Sequence, residues 1–162
     1  MKVGILSDTH GFIHPRIEVF FREVDEIWHA GDIGNVETFI ALNKIKPLRA
    51  VYGNIDGHDV RALCPENLFF KAEEADVLMT HIGGYPDRYD QRVRELIRKN
   101  RPGLFVCGHS HILKVMYDNA HEMLFINPGA AGKFGFHQSY TAIRMVIEGK
   151  TFKDMEVLDI PK

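Results

Sequence analysis

The sequence predicts an α/β protein in which two β-sheets form the core and helices lie outside them. Its first half alternates short apolar segments with amphipathic helical patterns, and from residue 104 onward strand patterns dominate. That order favours a two-sheet core with helices packed on its outer faces. The 162 residues and the 45% hydrophobic content suffice for a sizeable core, so we expect a single domain over residues 1–162.

Three strands and two helices are predicted in the first half of the chain. Pro15 suits the first turn of a helix, where its missing N–H is not needed, and apolar residues follow it at helical spacing. Asn35 can cap the second helix through its side-chain oxygen. The predicted strands are residues 2–6, 26–30 and 48–52.

The second half predicts a β-hairpin, one further helix and a strand-rich end. The hairpin pairs residues 67–71 with residues 76–81. A helix follows over residues 90–100 and stops before Pro102. The later strands are residues 104–107, 113–117, 123–126, 140–147 and 152–158.

Five predicted strands end in turns that carry aspartate, asparagine or histidine beside a glycine. Because the carboxyl ends of strands in open α/β sheets form the crevice where ligands bind, we expect these side chains at one rim. Each motif alone has a simpler interpretation, as a capping aspartate, a turn dipeptide or a core histidine. The ordered set is what indicates a metal site. Its members are Asp8, His10, Asp32, Asn54, His81, His109 and His111.

The donor types narrow the choice of metal. Carboxylate, amide and imidazole groups without a thiolate favour transition metals over Mg²⁺ or Ca²⁺. We expect manganese first, with nickel, iron, cobalt or zinc as alternatives. Seven ligands are too many for one ion that keeps an open position, and they suit two divalent ions sharing one carboxylate. Two ions about 3.5–4 Å apart can polarise a phosphoryl oxygen and lower the pKa of a bridging water.

In this order, the five motifs resemble those of the calcineurin-like metallophosphoesterases. The short chain and the segment that begins at Asn127 are similar to the small YfcE-type phosphodiesterase branch of that superfamily. The resemblance implies a four-layer αββα sandwich, with two mixed β-sheets flanked by helices and a dinuclear site at one edge. It also implies that Asp32 bridges the two ions. The ligands implied for the first ion are Asp8, His10 and His111, and those for the second are Asn54, His81 and His109.

One position departs from the superfamily. Many members follow the asparagine ligand with a histidine that protonates the leaving group, whereas this chain has Ile55. The YfcE-type branch often lacks that histidine too, so the departure does not exclude activity. His58 is a candidate replacement acid, and a solvated loop histidine is the alternative interpretation. We therefore predict Asp32, Asn54 and His58 as the catalytic residues.

The leading hypothesis is a metal-dependent phosphodiesterase, which hydrolyses a small phosphate ester by attack of a metal-bridging hydroxide. The alternative is a metal-binding scaffold for protein interactions with little activity, similar to the retromer subunit Vps29. All seven ligand positions hold residues able to bind metal, which a pure scaffold does not need. That observation favours the enzyme.

Composition and net charge limit the classes of partner that we expect for this protein. A net charge of −2 and a pI of about 6.5 argue against a nucleic-acid partner. No apolar run reaches the roughly 18 residues of a membrane span, so we expect no membrane partner. Cys64 and Cys107 make no disulfide framework, which favours a reducing cytoplasm. A homo-oligomer is left open.

Overall fold

Two mixed five-stranded β-sheets face each other in the computed structural model, which describes residues 1–162. In spatial order, the first sheet contains β10 (Thr151–Pro161), β9 (Ser139–Glu148), β1 (Lys2–Leu6), β2 (Glu26–Ala30) and β3 (Leu48–Val51). The second sheet contains β4 (Asn67–Ala72), β5 (Ala75–Thr80), β6 (Leu104–Val106), β8 (Met123–Pro128) and β7 (Leu113–Asp118). The helices are α1 (Pro15–Phe20), α2 (Val36–Ile45), α3 (His58–Arg61) and α4 (Gln91–Asn100).

Parallel strands form the centre of each sheet. In the first sheet β1, β2 and β3 run parallel, and in the second sheet β5, β6 and β8 do. Parallel neighbours need crossover connections, which here pass through α1, α2 and α4 and, between β6 and β8, through β7. The parallel strands of a sheet bring their carboxyl ends to the same edge. The polar turns that follow them are thereby gathered together.

The main core fills the space between the sheets. Val3, Ile5 and Trp28 of the first sheet are fully buried in one cluster with Val77 and Met79 of the second. Alternate residues of each strand point inward, as the period of two requires. This packing fixes how the two sheets lie against each other and therefore how their edges meet.

Helices cover the outer faces of both sheets. Ile17 of α1 and Leu42 of α2 are buried in a cluster with Leu6 of β1. Val93 of α4 is buried with Phe105 of β6 on the other side of the molecule. The layers are therefore helices, sheet, sheet and helix, and the αββα sandwich that the resemblance implies is confirmed. None of the helices combines the length and the apolar character needed to cross a membrane.

The element boundaries follow local physical chemistry closely. The Asn35 side chain accepts a hydrogen bond from the backbone of Thr38 at 2.8 Å, so the predicted cap of α2 is confirmed. Asp90 caps α4 in a similar way, by accepting from the backbone of Arg92. The sequence did not predict α3, because a helix of four residues is too short to show an apolar period.

Candidate metal centre

The turns after β1, β2, β3, β5 and β6 meet at one edge of the sandwich, and six of the predicted ligands form two groups there. Within each group, one ligand atom from every residue lies within 4.8 Å of the others. The first group is Asp8, His10 and His111. The second group is Asp32, His81 and His109.

The first group contains buried polar atoms without partners. His111 Nε2 lies 3.1 Å from Asp8 Oδ1, and His10 Nε2 lies 4.0 Å from the same oxygen. Asp8 Oδ1 and His10 Nε2 are buried and form no hydrogen bond. The other carboxylate oxygen accepts from Ser7 Oγ at 2.5 Å and from the backbone of His109 at 3.1 Å. An unsatisfied buried polar atom costs about 1–3 kcal/mol, and a cation between these two atoms would satisfy both. The first group therefore fits a metal ion.

The second group is joined by contacts within the protein. His81 Nδ1 donates to the carbonyl oxygen of Ala30 at 2.8 Å, which turns Nε2 towards the site. That Nε2 lies 3.2 Å from Asp32 Oδ1 and 3.1 Å from Asn54 Oδ1. Asn54 therefore lies with this group.

Asp32 contacts both groups. Its Oδ1 faces His81, and its Oδ2 lies 3.8 Å from His10 Nε2 of the first group. The backbone N–H of Ile55 donates to Oδ1 at 3.1 Å and helps to fix the carboxylate. A single buried carboxylate thus offers one oxygen to each side of the centre.

Burial and neighbouring charges set the protonation of the second group. Burial opposes ionisation of Asp32, but the hydrogen bond and charge of His81 outweigh it and hold the pKa of this carboxyl below its usual range. Burial disfavours a charged His81, yet Asp32 and Asp8 raise the pKa of this imidazole. Burial and the charge of His81 lower the pKa of His109, which keeps that ring neutral, the form in which histidine binds metal.

The backbone turns sharply at most of the ligands. Five ligand residues have a positive φ between 47° and 68°, in the left-handed region. Aspartate and histidine are among the few residues other than glycine that enter this region readily. The backbone N–H of Asp8 bonds to Gly31 and that of His10 to Asp32, so the turns after β1 and β2 stay paired beyond the strands. The five residues are Asp8, His10, Asp32, His109 and His111.

Two glycines allow the turns to approach the carboxylates. A Cβ atom on Gly53 would lie 1.9 Å from Asp32 Oδ1, and one on Gly108 would lie 1.9 Å from Ser7 Oγ. Real Cβ atoms do not come so close to other heavy atoms. No residue larger than glycine therefore fits at position 53 or 108 without a shift of the neighbouring atoms.

Asp56 and His29 support the centre without joining either group. The Asp56 carboxylate accepts backbone hydrogen bonds from Ile33, Gly34 and Gly53, which ties the turn after β2 to the turn after β3. His29 Nδ1 accepts from the backbone of Gly31 at 3.1 Å, and His29 Nε2 bonds to Thr9 Oγ1 at 2.9 Å.

The supporting role of His29 could not be found from the sequence. Thr9 Oγ1 donates to the carbonyl of Ile33, so in this chain of bonds His29 Nε2 is the donor and Nδ1 the acceptor. That order requires a neutral ring, and burial lowers the pKa of His29 to about 4. The histidine carries no motif, and its contact with Thr9 spans twenty residues of the chain.

The loop after β8 borders the first group. The ring of Phe134 lies 5.6 Å from the ring of His10, and the ring of His137 lies 5.1 Å from that of His111. Asn127 shapes the neighbouring turn, because its side-chain amide donates to the carbonyl of Gly108 at 2.8 Å. The segment that begins at Asn127 therefore lies beside the candidate metal centre.

His58 lies apart from the two ligand groups. It is the first residue of α3, its side chain is 97% exposed, and its Nδ1 lies 3.7 Å from the carboxylate of Asp59. It lines a small surface cavity together with Asn35. Its role as a replacement acid stays a prediction. Ile55, whose position prompted that prediction, is 46% exposed beside Asn54.

Comparison with known families agrees with this geometry. A family model described as the calcineurin-like phosphoesterase superfamily domain matches residues 1–150. The chain belongs to this superfamily. Two archaeal relatives carry names of the same kind. A probable metallophosphoesterase of Methanothermobacter thermautotrophicus is 29% identical over 135 residues, which covers 80% of this chain and 77% of the relative.

A phosphodiesterase of Methanocaldococcus jannaschii is 32% identical over 151 residues, which covers 80% of this chain and 83% of that relative.

Solved structures share the fold at lower identity. Vacuolar Protein Sorting 29 (Vps29) of Cryptosporidium parvum has a TM-score of 0.76 at 18% identity, covering 99% of this chain and 98% of that one. Vps29 of Entamoeba histolytica, solved in complex with zinc, has a TM-score of 0.72 at 17% identity, with 98% and 99% covered.

Proposed function

We propose that this superfamily member is a metal-dependent phosphodiesterase. The observation that carries the proposal is the pair of ligand groups joined by Asp32, in which buried polar atoms of Asp8 and His10 lack partners. Superfamily membership and the phosphodiesterase name of the M. jannaschii relative support the reaction class. The substrate is a small phosphate ester.

Two divalent transition-metal ions fit the donor set. The first group would hold one ion, the second group together with Asn54 would hold the other, and Asp32 would bridge them. Manganese remains the first expectation because carboxylate, amide and imidazole donors suit it. The Vps29 of E. histolytica, which shares the fold, was solved in complex with zinc, and this supports a divalent metal ion in the present chain.

The chain's own residues would position the substrate and tune the charge around it. A bound pair of divalent ions supplies positive charge for phosphoryl oxygens and lowers the pKa of a shared water. Asp32 stays ionised at neutral pH because its pKa is lowered, so it can balance that charge. Because His81 Nδ1 donates to the carbonyl of Ala30, Nε2 is the atom that this ring would offer to a metal ion.

A scaffold that acts only through protein contacts would not explain the unsatisfied atoms of the first group. A protein that acts only through contacts needs no unsatisfied donor and acceptor buried at one edge, and keeping them costs stability. The likeness to Vps29 at 16–18% identity concerns the fold alone. The enzyme is therefore the better-supported function.

The deciding experiment measures metal content and turnover together. Purified protein is stripped with a chelator, reloaded with Mn²⁺, Ni²⁺, Fe²⁺, Co²⁺ or Zn²⁺, and assayed with bis(para-nitrophenyl) phosphate. We expect two ions per chain by elemental analysis and anomalous scattering, and turnover that the chelator abolishes. A single ion would contradict the dinuclear centre, and two ions without any turnover would favour the scaffold.

The remaining expectations concern the setting of the enzyme. Both cysteines, Cys64 and Cys107, are free and buried, which agrees with the proposed reducing cytoplasm. Burial raises the pKa of the Cys64 thiol to about 11, so this thiol is unreactive. A homo-oligomer remains an open prediction, which the molar mass from light scattering would decide.

A further inference from the structure

A small polar cavity opens directly beside the second ligand group. Its volume is ≈ 180 Å³, and Asn54 and His81 line it as well as belonging to the candidate metal centre. If the phosphate of a substrate binds at the candidate metal centre, a group attached to that phosphate can therefore reach into this cavity. The side chains that give the cavity its charge are Arg61, Glu66 and Arg92.

Arg61 is held rigidly at the wall of this cavity. Its Nε donates to the carbonyl of Asp56 at 2.7 Å, and its Nη2 lies 3.5 Å from the carbonyl of Asn54. Its guanidinium stacks on the ring of Tyr52 at 4.6 Å from the ring centre. A side chain that is already ordered loses little conformational entropy when it binds a ligand.

Arg61 forms no salt bridge. No carboxylate lies within 4.0 Å of it, whereas Arg49, Arg92 and Arg144 each pair with a glutamate. Glu66 is the partner of Arg92 on the other side of the cavity, so the two arginines and one glutamate leave a net positive charge. The cavity therefore favours an anion.

The size and polarity of the cavity limit the kinds of anion that can bind there. At ≈ 180 Å³ the cavity is smaller than the 300–1,000 Å³ of typical sites for larger organic ligands. Only Tyr52 and Ile82 contribute hydrophobic side chains to its wall. A compact oxyanion on a short linker fits this space.

We propose that this cavity binds a second oxyanion of the substrate, with Arg61 as the residue that determines this specificity. The preferred substrates are then phosphodiesters in which one alcohol carries a phosphate or carboxylate close to the scissile phosphate. The inference rests on the proposed phosphodiesterase function. The Nη1 group of Arg61, which makes no hydrogen bond within the protein, would donate a charge-assisted hydrogen bond to the oxyanion.

The test compares matched substrates in the metal-loaded protein. One set of aryl phosphodiesters differs only in whether the second alcohol carries a neutral group, a carboxylate or a phosphate. We expect a KM at least about tenfold lower for an anionic substrate, and Arg61→Gln should remove about 10- to 100-fold of this preference, mainly through KM. Comparing the carboxylate with the phosphate shows which oxyanion the cavity prefers.

Three further variants keep the test independent of a folding defect. Arg61→Lys keeps the charge but loses the hydrogen bonds that hold the guanidinium at the wall, so it should keep part of the preference that Arg61→Gln loses. Glu66→Gln makes the cavity more positive and should lower the KM of anionic substrates further. Arg98→Gln changes an arginine of α4 outside the cavity and should leave the preference unchanged.

A binding measurement separates this inference from the proposed function. Inorganic phosphate is titrated into the metal-free protein while the Nε–H resonance of Arg61 is followed by NMR. A saturable shift that Glu66→Gln strengthens supports the cavity even if no substrate is turned over. Equal KM values for neutral and anionic substrates, or no shift of the Arg61 resonance, would overturn the inference while leaving turnover of the neutral ester intact.

Discussion

The two halves of the candidate metal centre are stabilised in different ways. In the second group, His81 donates a hydrogen bond to the backbone carbonyl of Ala30, and Asp32 accepts one from the backbone N–H of Ile55. In the first group, Asp8 Oδ1 and His10 Nε2 are buried without partners. The second group therefore keeps its geometry through the protein itself, whereas the first group leaves two buried atoms that a cation would satisfy. We therefore expect the second group to be preorganised without metal, and the first group to depend on metal for its stability.

The largest effect is expected from the residue that contacts both halves. Asp32→Asn removes the charge that two ions would share, so we expect a loss of activity of at least about 10³-fold. That exceeds the 10- to 100-fold typical of residues that only orient a ligand. Activity is measured with the aryl diester at saturating Mn²⁺, with Asn54→Ala for comparison. Full activity in Asp32→Asn together with a strong loss in Asn54→Ala would contradict the assignment of the bridge.

A smaller effect concerns proton delivery beside the second half. Ile55 cannot protonate a leaving alkoxide, so aryl diesters with acidic phenols should react much faster than alkyl diesters. General acids contribute about 10²–10⁴-fold, and Ile55→His should narrow the difference by up to about 10²-fold. If His58 is the replacement acid, His58→Ala slows the alkyl ester selectively. Equal rates on both esters, unchanged by either substitution, would show that protonation does not limit the reaction.

The tight packing of the second half can be tested with one methyl group. Gly53→Ala places a Cβ against Asp32 Oδ1, whereas nothing lies within 4 Å of a Cβ on Gly57. A displacement of about 1 Å can reduce a rate by about 10²-fold, so we expect a 10- to 100-fold loss in Gly53→Ala. Gly57→Ala is the matched control and should retain activity. Similar activity in both variants would mean that the carboxylate moves aside freely.

Substitution of His29, which links the turns that carry both ligand groups, should have the smallest effect on activity. Its effect on stability should be clear. The His29 pKa of about 4 lies below the value of 6.5 in an unfolded chain, so protons bind preferentially to the unfolded state between these pH values. The free energy of unfolding should therefore fall by about 3 kcal/mol as the pH drops from 6.5 to 4. His29→Gln should remove this part of the pH dependence.

The check uses urea unfolding of the metal-free protein at several pH values. The variant serves as the control, because other groups titrate alike in both proteins and only the difference between the two curves reports on His29. Parallel curves would mean that His29 is not held neutral by the fold.

The sequence predicts the parts of the molecule that depend on neighbouring residues. The strand ends, the Asn35 cap and the ligands from Asp8 to His111 each follow a local change from apolar to polar residues. The side-by-side order of the strands is not local, because distant segments such as β1 and β9 must pair first. The support from His29 and the charge of the Arg61 cavity also depend on such long-range contacts. These features therefore required the structure.

The left-handed backbone at the ligands bears on how this centre can be dissected. At His10, where φ is 47°, alanine would remove the ring and also strain the turn, so its effect would mix two causes. Glycine removes the same ring and accepts the same backbone. The glycine variant leaves a space the shape of an imidazole, and imidazole added to the solution can enter it. Recovery of function by a free small molecule would then report on the missing ligand alone, separately from the turn that carried it.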